Sequence, residues 1–273
     1  MSTATTKTQK KSVLITGASS GLGAGMATRM VERGWRVFGT SRKPQTDHEG
    51  IEWVVMDVCD DASVQTALES VYKRTDHLDG LVCNAGWGIY GSIEETSLAR
   101  ARAQFETNFF GVLRVLTPVL KRMRERNAGR ILLVGSLSGR APIPFQAHYS
   151  ATKAAIESLA FGLVNELDPF DIQISLIEPG DINTAFNDVM DWGERPSDSP
   201  YASRMAISEK SIRESLPISP GPEVVADVVE HALTADKPKL RYAVGREARL
   251  VGIGKRLLSD RLSLKTIRDH FGI

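Results

Sequence analysis

Tyr149, Lys153 and Ser136 are the side chains in this sequence best suited to moving a proton to or from a bound oxygen. The segment Tyr149-Ser150-Ala151-Thr152-Lys153 reads as the start of a helix. Positions i and i+4 of a helix lie one above the other on one face, so the phenol and the ammonium point the same way. A phenol beside an ammonium has its anion favoured, so the Tyr149 pKa is expected to fall into a useful range. Ser136 ends the apolar run Ile131-Leu132-Leu133-Val134, which reads as a buried strand. A hydroxyl there could hold the oxygen of a carbonyl or alcohol while the tyrosine moves the proton. Taken alone, a Tyr and a Lys four apart are most often surface neighbours. The elements that would position them must decide.

Those elements begin with Ser12 to Thr16, a short apolar strand, followed by Gly17-Ala18-Ser19-Ser20-Gly21-Leu22-Gly23 and a helical pattern closed by Gly34. A second strand runs from Trp35 to Thr40. Strand, glycine-rich turn, helix and strand together make the context of a dinucleotide fingerprint, here spaced GxxxGxG. Glycines let the backbone approach a pyrophosphate, and the helix N-terminus offers free N–H groups and a positive dipole. Gly17, Ser19, Ser20, Gly21, Leu22 and Gly23 form the expected cradle.

The second strand runs into Ser41-Arg42-Lys43-Pro44, with no acid before Asp47. NAD sites place an acid about twenty residues after the glycines, whereas a guanidinium suits a 2′-phosphate. Arg42 therefore points to NADP(H) over NAD(H). The third strand, Ile51 to Met56, ends in Asp57-Val58. Asp57 could accept from an adenine amine or act as a capping acid for the helix at about 61–74. A fourth strand, Leu78 to Cys83, ends in Asn84-Ala85-Gly86-Trp87-Gly88, small residues that leave the backbone open to a ligand. Trp87 reads equally as a core, lid or substrate residue. A long helix is expected from about Ser97 to Arg126. Asn108 and Gly111 are poor residues for its interior, and such a conflict marks either a functional site or a local kink. The fifth strand spans Arg130 to Gly135, the Tyr149 helix runs to about Leu167, and the sixth strand, Gln173 to Glu178, leads into Pro179-Gly180-Asp181-Ile182-Asn183-Thr184.

Bulk properties narrow the class. The chain has 273 residues and a formal net charge of +1, so nothing pulls it towards nucleic acid. No apolar run approaches the ~18 residues of a membrane-spanning helix. Met1 to Lys11 is polar, without the apolar core of a secretory signal, and is expected as a loose tail. Cys59 and Cys83 make neither a disulfide framework nor a metal set. A reducing, cytoplasmic setting is the default expectation.

In order and spacing, these motifs resemble the classical short-chain dehydrogenase/reductase family. The match comprises TGxxxGxG at Thr16 to Gly23, Asp57-Val58, Asn84-Ala85-Gly86, Asn108, Ser136, YxxxK at Tyr149 to Lys153, and PGxxxT at Pro179 to Thr184. The resemblance implies an α/β fold: a single Rossmann-type domain over 12–273 with a doubly wound parallel seven-stranded sheet, order 3-2-1-4-5-6-7, and helices on both faces. It implies a catalytic tetrad. Tyr149 would be the general acid in reduction and the base in oxidation. Ser136 would bind the reacting oxygen, Lys153 would lower the tyrosine pKa and hold the nicotinamide ribose, and Asn108 would hold a water linking Lys153 to solvent. Ser136 is preferred to Ser138 because it stands thirteen residues before Tyr149, the family's usual interval. Pro179, Gly180, Ile182 and Thr184 would line the nicotinamide. His148 carries no fixed role in the family and reads as a wall or surface residue. The family's usual interfaces, helices near 97–126 and 149–167, imply a homodimer or homotetramer.

Residues 185–220 look like the family's variable substrate lid, partly helical and mobile. Leu137, Ile143, Phe145, Phe186 and Met190 would make the pocket apolar, with Ser138 nearby. A hydrophobic ketone, aldehyde or alcohol is expected, and the chain resembles the 17β-hydroxysteroid/retinol dehydrogenase branch. Two alternatives are a 3-oxoacyl thioester reductase and a catalytically silent NADP-binding regulator. A nucleotide-sugar epimerase would need a larger substrate domain and a GxxGxxG turn. After Gly221, a helix at about 222–235 and a strand at 240–244 should complete the sheet. The amphipathic end, Lys255 to Phe271, is expected to pack on its own domain or a sister subunit rather than lie on a membrane surface.

Overall fold

The computed structural model describes residues 10–46, 50–184, 186, 190–193, 196, 198–245 and 248–273. Most of the expected tail, Asp47 and part of the expected lid lie outside these residues.

The strands are β1 (Ser12–Ile15), β2 (Arg36–Ser41), β3 (Ile51–Val55), β4 (Gly80–Cys83), β5 (Gly129–Val134), β6 (Ile172–Pro179) and β7 (Arg241–Val244). They form one sheet in the order β3-β2-β1-β4-β5-β6-β7, with every pairing parallel. Successive strand residues face opposite sides, and both sides are covered. Leu14, Ile131 and Leu133 enter one core with Val64 and Leu68 of α2 (Asp61–Tyr72), Val115 and Val119 of α4 (Gly111–Arg126), and Ile156 and Leu163 of α5 (Ala147–Leu167). Val13, Ile15, Leu132 and Val134 enter the other, against Met26 and Met30 of α1 (Gly21–Glu32) and Val225 and Val229 of α7 (Glu223–Thr234). Burial on both faces is why these strands read as unbroken apolar runs.

The expected long helix is interrupted. α3 (Leu98–Phe105) gives way to a single π-helical turn, Glu106–Phe110, before α4 resumes at Gly111. Local preference and helical pattern collide at Asn108, and the backbone answers by inserting a residue. Gly34 ends α1 as expected: its N–H donates to Val31 at 2.9 Å and Trp35 N–H to Met30 at 3.0 Å. Past β6 the chain adds α6 (Ala202–Ser215), α7, β7, α8 (Ala248–Leu257) and α9 (Asp260–Phe271). A third, smaller cluster packs Tyr90, Met190 and Met205 with Phe145, Trp192 and Tyr201, tying the described part of the expected lid to the loop after β4.

Candidate active site

A cavity of about 940 Å³ runs along the carboxyl ends of the strands, across the point between β1 and β4 where strand order reverses. Open parallel sheets bind ligands there. One end is a backbone cradle. Gly17 has φ +65°, and a Cβ on it would stand 3.0 Å from the Ala85 Cα. Ser20 precedes α1 without capping it through its side chain, so the helix N-terminus faces the cavity beside Ser19, Gly21 and Leu22. Gly23 does not line the cavity. A Cβ there would collide with the Gly17 carbonyl and lie 2.7 Å from Asn84 Nδ2, so this glycine lets α1 pack under the turn.

Asn84 holds the cradle from below. Its amide nitrogen donates to the Thr16 and Gly17 carbonyls at 2.9 and 3.2 Å, and Thr16 Oγ1 accepts from the backbone of Asn84 and Ala85. Arg42 lines the far end of the cavity with Ser41 and Lys43, and among the described residues it has no hydrogen-bonding or ion-pair partner. Asp57 and Val58 line the adjoining wall. The capping alternative for Asp57 falls away, because Asp60 caps α2 by accepting from Ser63 N at 2.6 Å. Asp57 instead accepts from Cys59 N at 2.9 Å while facing the cavity.

At the other end Ser136, Tyr149 and Lys153 converge, as their places after β5 and along α5 require. Ser136 Oγ accepts from Ser138 N at 3.1 Å and donates to the Pro179 carbonyl at 3.4 Å, beside the Tyr149 phenol. Lys153 Nζ donates to the Val134 carbonyl at 2.9 Å and lies 5.6 Å from the centre of the Tyr149 ring. Pro179, Gly180, Ile182 and Thr184 form the facing wall with Gly86 of the loop after β4.

The electrostatics reverse one expectation. Burial pushes the Tyr149 phenol up to about 12, and the neighbouring Ser136 hydroxyl opposes this. Burial pushes Lys153 down to about 8. Loss of water disfavours both charged forms. At neutral pH the chain therefore presents a protonated tyrosine, a donor.

Asn108 is 1 % exposed and does not line the cavity. Its Nδ2 donates to the Trp87 carbonyl at 2.9 Å and to Thr152 Oγ1 at 3.1 Å, and its Oδ1 accepts from Trp87 N at 3.0 Å. These bonds hold the loop after β4 against α5. Buried Gln104, which sequence reasoning passed over, donates to the same Trp87 carbonyl at 3.2 Å.

Leu137, Ser138, Phe186 and Met190 line the cavity, with Phe186 centred 5.7 Å from Tyr149. Among the described residues the buried Ser138 hydroxyl has no hydrogen-bond partner. Phe145 is a correction. Its φ of +61° turns it away, and it packs on Tyr90 and Tyr201 in the third cluster rather than on the cavity. His148 likewise stays outside, half-buried, its pKa lowered by burial and by Arg100. The sequence reading missed the cavity's last wall. Val251, Leu258, Ile267 and Phe271 of the C-terminal segment line it, with Ser263 and His270. The amphipathic pattern at 255–271 was its signal, but pattern alone does not say what an apolar face covers.

The glycine turn at the α1 N-terminus and the Ser136, Tyr149 and Lys153 side chains thus share one crevice. The short-chain dehydrogenase family model matches residues 11–193, and the chain belongs to that family, whose members act on CH–OH groups. Its relatives include a 3-ketodihydrosphingosine reductase of Bacteroides thetaiotaomicron, 34 % identical over 267 residues covering 97 % of this chain and 99 % of that one. The 17-beta-hydroxysteroid dehydrogenase type 1 of Homo sapiens is 34 % identical over 254 residues, covering 84 % of this chain and 76 % of that one. A solved short-chain dehydrogenase from Streptomyces avermitilis superposes with a TM-score of 0.81 at 31 % identity, covering 96 % and 97 %.

Proposed function

We propose that this protein is an NADP(H)-dependent reductase of hydrophobic ketones or aldehydes, acting reversibly on the matching alcohols, with Tyr149 as general acid and base. The observation that carries this reading is the convergence of Ser136, Tyr149 and Lys153 inside a largely apolar cavity that continues to Arg42. The Gly17–Leu22 turn and the α1 N-terminus would hold the pyrophosphate, and Arg42 the 2′-phosphate. Asp57 would take the adenine, with Lys153, Gly180, Ile182 and Thr184 around the nicotinamide. When bound, the dinucleotide supplies or accepts the hydride.

The chain's own residues do the rest. Ser136 binds the substrate oxygen and orients it towards the phenol. Tyr149, protonated at neutral pH, gives its proton to the developing alkoxide. In oxidation the same oxygen takes the proton back, and a positive charge on Lys153 favours the phenolate that this needs. Asn108 keeps the floor in register through Trp87 and Thr152. Leu137, Phe186, Met190 and the C-terminal wall exclude water and favour an apolar substrate body, while Ser138 offers one hydroxyl to a second polar group. The 3-ketodihydrosphingosine reductase and 17-beta-hydroxysteroid dehydrogenase among its relatives point to long-chain ketones and steroids as the first compounds to try. The protein acts as a homodimer or homotetramer in this reading.

The test is oxidation of NADPH and of NADH across long-chain ketones, steroids, retinoids and aromatic ketones. Activity is expected with NADPH, and Arg42→Ala should raise KM for NADPH about tenfold or more while leaving NADH rates unchanged. Equal use of both cofactors by the wild type would sink the Arg42 assignment. Turnover only of acetoacetyl thioesters would favour the 3-oxoacyl thioester alternative.

A further inference from the structure

The outer side of the C-terminal segment has no place in the active-site reading. On α9 the cavity-lining positions Ser263, Ile267 and Phe271 recur every fourth residue. The opposite face therefore belongs to Arg261, Lys265 and Arg268, all exposed. Leucines flank it. Leu262 and Leu264 are 48 % and 49 % exposed, and Leu257, where α8 turns into α9, is 77 % exposed. Exposed large apolar side chains on either side of a basic face mark an interaction surface. The charge is concentrated here as well: residues 248–273 carry six Lys or Arg against two Asp, in a chain whose formal net charge is +1. The remainder of the molecule is net acidic.

We propose that the α8–α9 elbow docks onto an anionic lipid bilayer. Leu257, Leu262 and Leu264 enter the boundary between headgroups and acyl chains, and Arg261, Lys265 and Arg268 pair with anionic headgroups. Basic clusters on short amphipathic helices favour such surfaces. No helix among the described residues is long and apolar enough to cross a membrane, so the elbow lies on the surface rather than spanning. A second copy of the chain is the weaker occupant, because a two-fold contact here would set basic face against basic face. One consequence rests on the hydrophobic-substrate reading. The docked helices are also the cavity's last wall, so an apolar substrate could pass from lipid to site with little exposure to water.

The test is co-sedimentation of the full chain with vesicles of phosphatidylcholine, alone or mixed with phosphatidylglycerol, without substrate or cofactor. Binding is expected only to the mixed vesicles and should weaken with added salt. The double variant Arg261→Glu/Lys265→Glu should weaken it about tenfold or more. Leu257→Ser/Leu264→Ser should also weaken it, with thermal melting and NADPH binding as in the wild type. No binding, equal binding to phosphatidylcholine alone, or undiminished binding by both variants overturns the proposal. So does a leucine variant that changes only the oligomeric state in vesicle-free solution, which would make the elbow a subunit contact. Vesicle binding by a protein with no reductase activity would leave the docking surface standing and remove only its link to substrate.

Discussion

The phenol of Tyr149 is held in its protonated form by the same burial that shields it from water, and the ammonium of Lys153 is destabilised by that burial too. Tyr149→Phe keeps the ring against Phe186 and deletes only the hydroxyl. It should lower reduction about a hundredfold to ten-thousandfold, the usual worth of a general acid, with NADPH binding and melting temperature nearly unchanged. Steady-state kinetics beside a fluorescence titration decide it, and retained reduction would mean that Tyr149 is not the general acid. Lys153 gives a prediction in pH. Its folded pKa, about 8, lies below the ordinary 10.5, so between these values the unfolded chain binds the extra proton. Stability from this group therefore rises with pH through that window, and its burden is full below about 8. Any stability that Lys153→Met gains over the wild type should be greatest below about pH 8 and shrink towards 10.5 in paired thermal melts. A pH-independent difference would mean the lysine is not desolvated as described.

At the scale of elements, two devices shape the crevice. The first is the turn between β1 and α1, where Gly23 admits the helix beneath the Gly17 carbonyl. Gly23→Ala forces either the turn or Asn84 to move, since neither is the loose end of a flexible side chain. It should weaken NADPH binding at least about tenfold and lower stability by about 1–3 kcal/mol. Titration and thermal unfolding test this, and wild-type affinity would mean the turn does not form the cofactor site. The second device is the π-turn at Glu106–Phe110, which rotates Asn108 inward to brace Trp87 and Thr152. An uninterrupted helix across these residues would turn the following helix face and lose that brace.

At the scale of the whole molecule, the sheet gathers motifs from six strand ends into one crevice, and the C-terminal helices close it. Phe161 and Val164 lie three apart on α5, 41 % and 37 % exposed, and Phe110 at the end of the π-turn is 47 % exposed. That outer apolar face fits self-association through the long helices. Phe161→Glu/Val164→Glu should shift sedimentation to a smaller species with secondary structure intact; an unchanged species would place the subunit contact elsewhere. The vesicle experiment probes other residues, on α8 and α9, so the two results are independent.

Much was legible in the sequence because it is local. Strands buried on both faces announce themselves as apolar runs, and the GxxxGxG turn, Tyr149 with Lys153, and Pro179-Gly180 carry their spacing within a few residues. Even the conflict at Asn108 was visible, though not that a π-turn would resolve it. What the sequence could not decide depends on distant partners. The direction of the Tyr149 shift needed the burial that only the packed site supplies. The exclusion of Phe145 from the cavity needed its left-handed backbone and the aromatic cluster it joins. The role of residues 248–273 needed the tertiary fold most of all. Helical periodicity states that one face is apolar, but only the packed molecule shows that this face looks into the cavity and leaves leucines and cations outside.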